Sequence, residues 1–224
     1  MVKSAEPRVY DRSNVVVFHK TTAPFGGLSN MAAGYSLNVN GIFIRTSEAL
    51  YQACRFPHLP EIQQLILSQA SPMTAKMKSK PLREHSREDW NRVRIRIMRW
   101  CLQIKLAQNA QKFGSLLLST GDRPIVEQSR RDPFWGAQPF DETLIGLNVL
   151  GRLLMELREE VKAVGFEHML SVDPPDVSNF LLLDKPIGVI TGEIVSARRD
   201  RPLLLLQGGQ QLTIEEQLRM KEAR

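Results

Sequence analysis

Apolar side chains recur along this chain with two periods, and the period decides the element. Over residues 88–108, Trp90, Val93, Ile97, Trp100, Cys101 and Ile104 fall within one stripe roughly 100° wide, which predicts a long amphipathic helix with those six in the core. Tyr35, Leu37 and Val39 alternate instead, Asn40-Gly41 forms a two-residue turn that favours positive φ, and Ile42 and Ile44 continue beyond it. That pattern is a β-hairpin. Its second strand leads into residues 46–56, TSEALYQACRF, where Thr46 or Ser47 can cap a short helix that Pro57 and Pro60 end. A helix over residues 61–69 carries Ile62, Leu65 and Ile66 as its stripe, and Ser71-Pro72 cap and open another that bears Lys76.

Further along, residues 109–119 read as a helix, residues 120–124 as a turn, residues 125–127 as a brief strand, and residues 143–162 as a helix burying Leu147, Leu150, Leu154, Leu157 and Val161. Val15-Val16-Val17-Phe18 is a short buried strand, and residues 1–13 are polar and loose. After Gly165, residues 173–176 (DPPD) read as a linker, residues 180–183, 188–195 and 202–206 as strands, and residues 214–224 as a charged helix. The expected organisation is α+β and mostly helical. Residues 14–164 form the main domain with its small hairpin sheet, and residues 165–224 form a β-containing extension suited to packing on that domain or contacting another protein.

Composition narrows the classes. The chain of 224 residues can bury an ordinary core, and no segment offers the ~18 uninterrupted apolar residues of a membrane span. The first residues lack an apolar signal core, so a cytoplasmic protein is expected. Cys54 and Cys101 sit among apolar neighbours as small buried hydrophobes, and His19, His58, His85 and His168 have no spacing that suggests zinc. No metal is expected. The net charge of +6 is concentrated between Lys76 and Lys105, where ten basic and three acidic residues give +7. Such a patch fits a phosphate-bearing partner, small molecule or nucleic acid, although Arg92, Arg96 and Arg99 lie opposite the apolar stripe as a solvated face.

Candidate chemistry gathers in a few places. In residues 46–56, Glu48, Gln52 and Arg55 share one helix face, opposite Leu50, Ala53 and Cys54. Facing a cleft they are a site, and facing water they are a solvated surface. The preceding loop holds Phe25-Gly26-Gly27, which serves either close approach to a ligand or a structural turn, followed by polar Ser29 and Asn30. Lys76, or the amides opening its helix, can hold a phosphate. Trp135 lies in a loop beside Gly136, near Glu127 and Asp132, and either stacks on a ligand or anchors the core. Trp90 borders solvent at a helix start, and Asn148 leaves an amide free.

Several of these stretches occur together in one order: Pro24 to Asn30 (PFGGLSN), the 46–56 run, Ser71 to Lys76 (SPMTAK), Asp89-Trp90, Thr120-Gly121-Asp122, Val126-Glu127, Asp132 to Gly136 (DPFWG), Gly146 to Gly151 (GLNVLG) and Leu154 to Arg158 (LMELR). That order resembles the NADAR family, the YbiA-like N-glycosidases, over about two thirds of the chain. The resemblance implies hydrolysis of a ribosyl C1′–N bond with no metal, nicotinamide or flavin. Glu48, Glu127 and Asp132 become candidates for stabilising an oxocarbenium ion and handling water or the leaving nitrogen. Lys76 and Arg55 would neutralise a phosphate. Trp135, Trp90, Tyr51 or Phe25 would stack on the heterocycle, and Gln52 and Asn148 would add neutral hydrogen bonds. Arg55 stands where many relatives have Lys, and Lys78-Ser79 where relatives often have Gly-Arg, so substrate choice is less transferable than reaction type.

Within the family one branch acts on phosphoribosylated pyrimidine intermediates of riboflavin synthesis, releasing ribose 5-phosphate, and another removes ADP-ribose from guanine in nucleic acid. The first is preferred here because no toxin domain accompanies this chain. A non-catalytic ADP-ribose or nucleotide reader and a nucleic-acid-binding protein are the competing classes. Three retained carboxylates weigh against the reader, and steep salt dependence would mark the nucleic-acid binder.

Overall fold

The computed structural model describes residues 6–193. In chain order the elements are β1 (Arg8–Asp11), β2 (Val16–Phe18), β3 (Leu37–Val39), β4 (Ile42–Ile44), α1 (Ser47–Ala53), α2 (Pro60–Leu67), α3 (Pro72–Ser79), α4 (Trp90–Gln108) and α5 (Ser115–Leu118). They continue with β5 (Ile125–Glu127), β6 (Gln138–Phe140), β7 (Thr143–Gly146), α6 (Val149–Val164), β8 (Ser171–Val172), β9 (Leu181–Leu182), β10 (Lys185–Pro186) and β11 (Ile190–Thr191). The architecture is α+β and dominated by helices, as the periodicity predicts.

Helix α4 runs through the middle of the core. All six residues of its stripe are buried, and Ile97, Cys101 and Ile104 have no exposed surface. Each such side chain contributes about 1.5–3 kcal/mol by leaving water. Leu150, Leu154, Leu157 and Val161 of α6 pack into the same cluster, as do Leu37, Val39 and Ile44 of the hairpin. The hairpin turns where expected, with Asn40 and Gly41 both at positive φ, a conformation a two-residue turn needs and these two residues tolerate. Cys54 and Cys101 are buried free thiols, and burial, then the neighbouring Cys54, raises the pKa of Cys101.

Strand pairing is where the structure departs from expectation. Residues 8–11 are not loose: β1 pairs antiparallel with β7, placing Arg8 opposite Gly146 and Asp11 opposite Thr143, and β6 closes the other edge of β7. Residues 143–146 are therefore strand rather than the first turn of a helix. Asn148, at φ 48°, breaks the chain between β7 and α6. Strand β2 lies parallel to β5, linking two segments more than a hundred residues apart. Residues 110–114 form a single π turn ahead of α5 in place of one continuous helix. Leu65 faces outward, so α2 buries Ile66 but not the full predicted stripe, and the Ser71 side chain makes no cap to α3.

The expected division at residue 165 falls inside one folded unit. Val172, Phe180, Leu182, Ile187 and Ile190 join the core that α4 organises, with the Phe180 ring edge-on to Trp100 at 4.8 Å. Gln63 of α2 reinforces this packing, donating to the Leu181 carbonyl and accepting from the Leu183 amide. Strands β9 and β11 are two residues each where strands over 180–183 and 188–195 are expected, and their partners β10 and β8 are not foreseen. The predicted strand at 202–206 and helix at 214–224 lie outside the described residues. Among the described residues no helix is long and apolar enough to cross a membrane.

Candidate active site

Helix α1 is short because its flanks are decisive. Thr46 Oγ1 accepts the Ala49 amide at its start, and the proline-bearing segment that follows Cys54 prevents continuation. Every residue from Ser47 to Ala53 is buried, so the polar face that sequence alone leaves open between cleft and solvent looks into a cavity. Glu48, only 6% exposed, points into it. The Glu48 amide donates to the Asn30 carbonyl at 3.1 Å, which fastens the 26–30 loop to the start of α1 and brings Ser29 and Asn30 to the cavity wall.

A buried relay continues from there. Gln52 Nε2 donates to Glu48 Oε1 at 2.9 Å, and Ser79 Oγ reaches Gln52 Oε1 at 3.3 Å and the Lys76 carbonyl at 3.0 Å. This links α1 to α3 and sets Lys76 at the cavity rim. On the opposite wall, Asp132 Oδ1 accepts the amides of Phe134 and Trp135 at 3.1 and 3.0 Å, so this carboxylate shapes the loop that presents Trp135. Trp135 stands edge-on to Tyr51, with ring centroids 5.6 Å apart.

Ten of the predicted residues therefore line one cavity of about 230 Å³: Ser29, Asn30, Glu48, Tyr51, Gln52, Arg55, Lys76, Glu127, Asp132 and Trp135. The volume is near the lower end for a small-molecule site. Four predicted residues do not border it. Phe25, at φ 59°, packs its ring on the core beside the loop. Trp90 lies behind the wall, tilted against Tyr51 at 5.0 Å and beneath the Arg55 guanidinium. Gly136 is a packing glycine, since a Cβ there would come within 2.5 Å of the Glu127 carbonyl. Asn148 is fully buried rather than free, donating to the Ile125 carbonyl at 2.8 Å and accepting the Glu127 amide at 3.1 Å. Its work is to hold β5 so that Glu127 projects inward.

Sequence reasoning missed Arg83, Arg94, Ser129 and Phe134 on the cavity wall, and the apolar Met31, Met98 and Leu150. Phe134 lies inside the DPFWG run, and Arg94 falls one helical turn from both Trp90 and Met98, signals that were available. The basic run of residues 76–105, read as one patch, is instead dispersed. Lys105 is wholly buried and donates to the Gly27 and Ser29 carbonyls, Arg87 pairs with Asp89, and Arg99 pairs with Glu156.

The electrostatics are uneven. Burial, then repulsion from Glu48 and Asp132, raises the Glu127 carboxyl from the ordinary 4.5 to about 7, with Lys76 partly offsetting the rise. Glu127 thus holds a proton where an ordinary carboxylate has lost it. Burial also raises the Tyr51 phenol pKa, so Tyr51 stays neutral and acts as a wall and hydrogen-bonding group.

Fold and cavity together define a small α+β protein whose site sets cationic side chains beside a group of carboxylates, one of them proton-loaded. The chain belongs to the NADAR domain family, whose match covers residues 17–162. It is similar to N-glycosidase YbiA of Escherichia coli, 33% identical over 153 residues, 67% of this chain and 90% of that one. N-glycosidase Npun_R5314 of Nostoc punctiforme is also 33% identical, across 66% of this chain and 92% of its own. Riboflavin biosynthesis protein VVA0006 of Vibrio vulnificus is 33% identical over 68% of this chain but only 41% of its own length. The solution structure of E. coli YbiA superimposes with a TM-score of 0.60, covering 69% of this chain and 89% of that one.

Proposed function

We propose that this protein is a cytoplasmic N-glycosidase that hydrolyses the ribosyl C1′–N bond of a phosphorylated pyrimidine intermediate of riboflavin synthesis, releasing ribose 5-phosphate. The observation that carries the reading is the meeting of Glu48, Glu127 and Asp132 with Lys76 and Trp135 around one small cavity. The names borne by relatives, two N-glycosidases and a riboflavin biosynthesis protein, support the reaction class and the substrate class respectively.

The chemistry follows from what each group carries. Loss of the base from C1′ leaves positive charge on the sugar, which the Glu48 carboxylate, held in place by Gln52, stabilises and toward which it directs a water. Glu127, still protonated near neutral pH, gives its proton to the departing nitrogen. Hydroxide from the water joins C1′, and the remaining proton restores Glu127. Asp132 keeps one oxygen engaged with the 134–135 amides, and its charge helps hold the proton on Glu127. Trp135 and Tyr51 flank the heterocycle, and the arginines of the cavity lining take the phosphate.

Mass spectrometry after incubation with a phosphoribosylaminopyrimidine, and separately with ADP-ribosylated guanine DNA, tests the reading. Ribose 5-phosphate is expected from the first alone. Glu48→Gln is expected to keep the fold and lose roughly 10² to 10⁴ in turnover. Absence of product from the pyrimidine, or undiminished turnover by Glu48→Gln, would overturn it.

A further inference from the structure

The cations at the cavity fall into two groups. Lys76 stands with the acids: Ser79 joins its carbonyl to Gln52, which donates to Glu48, and its charge acts on Glu127. Arg55 and Arg94 stack on the aromatic wall instead, and Arg83, whose charge acts on Arg55, joins them on the cavity lining. The Arg55 guanidinium carbon lies 4.5 Å over the Trp90 ring, and that of Arg94 lies 3.8 Å over Phe134. Stacking fixes the plane of a guanidinium and leaves its N–H edge free to point elsewhere. The Nε atoms of both arginines are buried without a hydrogen-bond partner. Among the described residues, none of the three forms an ion pair with a carboxylate.

Their neighbours behave differently. Arg87 is tied to Asp89 and the Ser178 carbonyl, Arg96 to the Asp176 carbonyl, and Arg99 to Glu156. Among the described residues, Arg55, Arg83 and Arg94 have no such carboxylate partner, and all three line the cavity. Burial, and repulsion from Arg83, lower the pKa of Arg55 although Tyr51 and Glu48 act against the fall, and the cluster holds like charges with no carboxylate of the described residues at ion-pair distance. Leaving buried donors unpaired is costly, and an anion with three acceptor oxygens relieves both that cost and the repulsion.

We infer that Arg55, Arg83 and Arg94 form the seat for the phosphate of a sugar phosphate, and that Lys76 serves the carboxylate end of the cavity rather than the phosphate. The assignment deepens the glycosidase reading and rests on it for the identity of the sugar. It gives the cavity two poles, a phosphate held among three arginines, two of them stacked, and an anomeric carbon among Glu48, Glu127 and Asp132. It also makes Arg83 and Arg94 the residues that select phosphorylated over unphosphorylated substrates.

Isothermal titration of ribose 5-phosphate and of ribose into the wild-type protein and into Arg83→Gln, Arg94→Gln and Lys76→Gln tests this without any turnover. Ribose 5-phosphate is expected to bind the wild type at least tenfold more tightly than ribose. Each arginine variant is expected to lose about ten- to a hundredfold in ribose 5-phosphate affinity, with ribose unaffected, while Lys76→Gln keeps its affinity. Arg83 is exposed, so its variant leaves the fold intact even if Arg94→Gln disturbs the Phe134 stack. Equal loss from Lys76→Gln, no loss from the arginine variants, or a wild type that does not prefer the phosphorylated sugar would each overturn the assignment. A protein that binds ribose 5-phosphate in this pattern yet cleaves no glycosylamine would sink the glycosidase reading alone.

Discussion

Replacing Glu127 with Gln is predicted to cost activity and add stability, and the pH dependence of the gain can be worked out. Burial, together with Glu48 and Asp132, raises this carboxyl from 4.5 to about 7. At about 1.36 kcal/mol per factor of ten, ionised Glu127 costs the folded protein about 3 kcal/mol. The sign follows from proton counts. Below pH 4.5 the carboxyl is protonated whether the chain is folded or not, and no difference arises. Between 4.5 and 7 the unfolded chain loses the proton while the folded one retains it, so stability falls as pH rises, and above 7 the full cost is present. Gln is neutral throughout. In thermal melts from pH 4 to 9, Glu127→Gln should match the wild type near pH 4.5 and exceed it by about 6–12 °C above pH 7, at roughly 2–4 °C per kcal/mol for a protein of this size. Parallel melting curves would refute the reasoning, since they would mean that Glu127 titrates as an ordinary surface acid. The same variant should lose about 10²–10⁴ in turnover.

Three further outcomes are expected. Asn148→Ala should destabilise by about 2–4 kcal/mol in urea titrations and lower activity, because it leaves the Ile125 carbonyl and the Glu127 amide unpaired. Gly151→Ala should cost about 1–3 kcal/mol by the same measurement, since its methyl would meet the Ile125 carbonyl at 2.1 Å. Lys105, whose pKa burial and Lys112 lower from 10.5 to about 7, should make the wild type more stable as pH rises from 7 to 10.5, where the unfolded chain still binds the proton that the folded one has shed. Lys105→Met should flatten that rise in melts over the same range, a window that does not overlap that of Glu127.

What could be read from the sequence was what short stretches settle by themselves. The α4 stripe, the Asn40-Gly41 turn and the Thr46 cap are each contained within one element, and each has the predicted form. Strands β1 and β7 were invisible because they are specified by each other: Arg8 acquires its conformation from Gly146, far along the chain. The apolar phase of α6 also continues backward through Leu144 and Leu147, and only the left-handed conformation of Asn148 interrupts it. At the site, the motif order led to the acids, Lys76 and Trp135. It gave no hint that Asn148 was structural, because an amide reveals its role through its partners, and those lie on other elements.

The family match ends at residue 162, yet the described chain goes on contributing to the interior as far as Ile190. A protein trimmed to the homologous boundary would expose the flank of Trp100 that Phe180 now covers, and would leave Gln63 with the Ala53 carbonyl alone of its three backbone partners. Loss of activity in such a fragment would then report collapse of the scaffold and say nothing about catalysis. The shortest piece worth expressing should keep this wrapping strap.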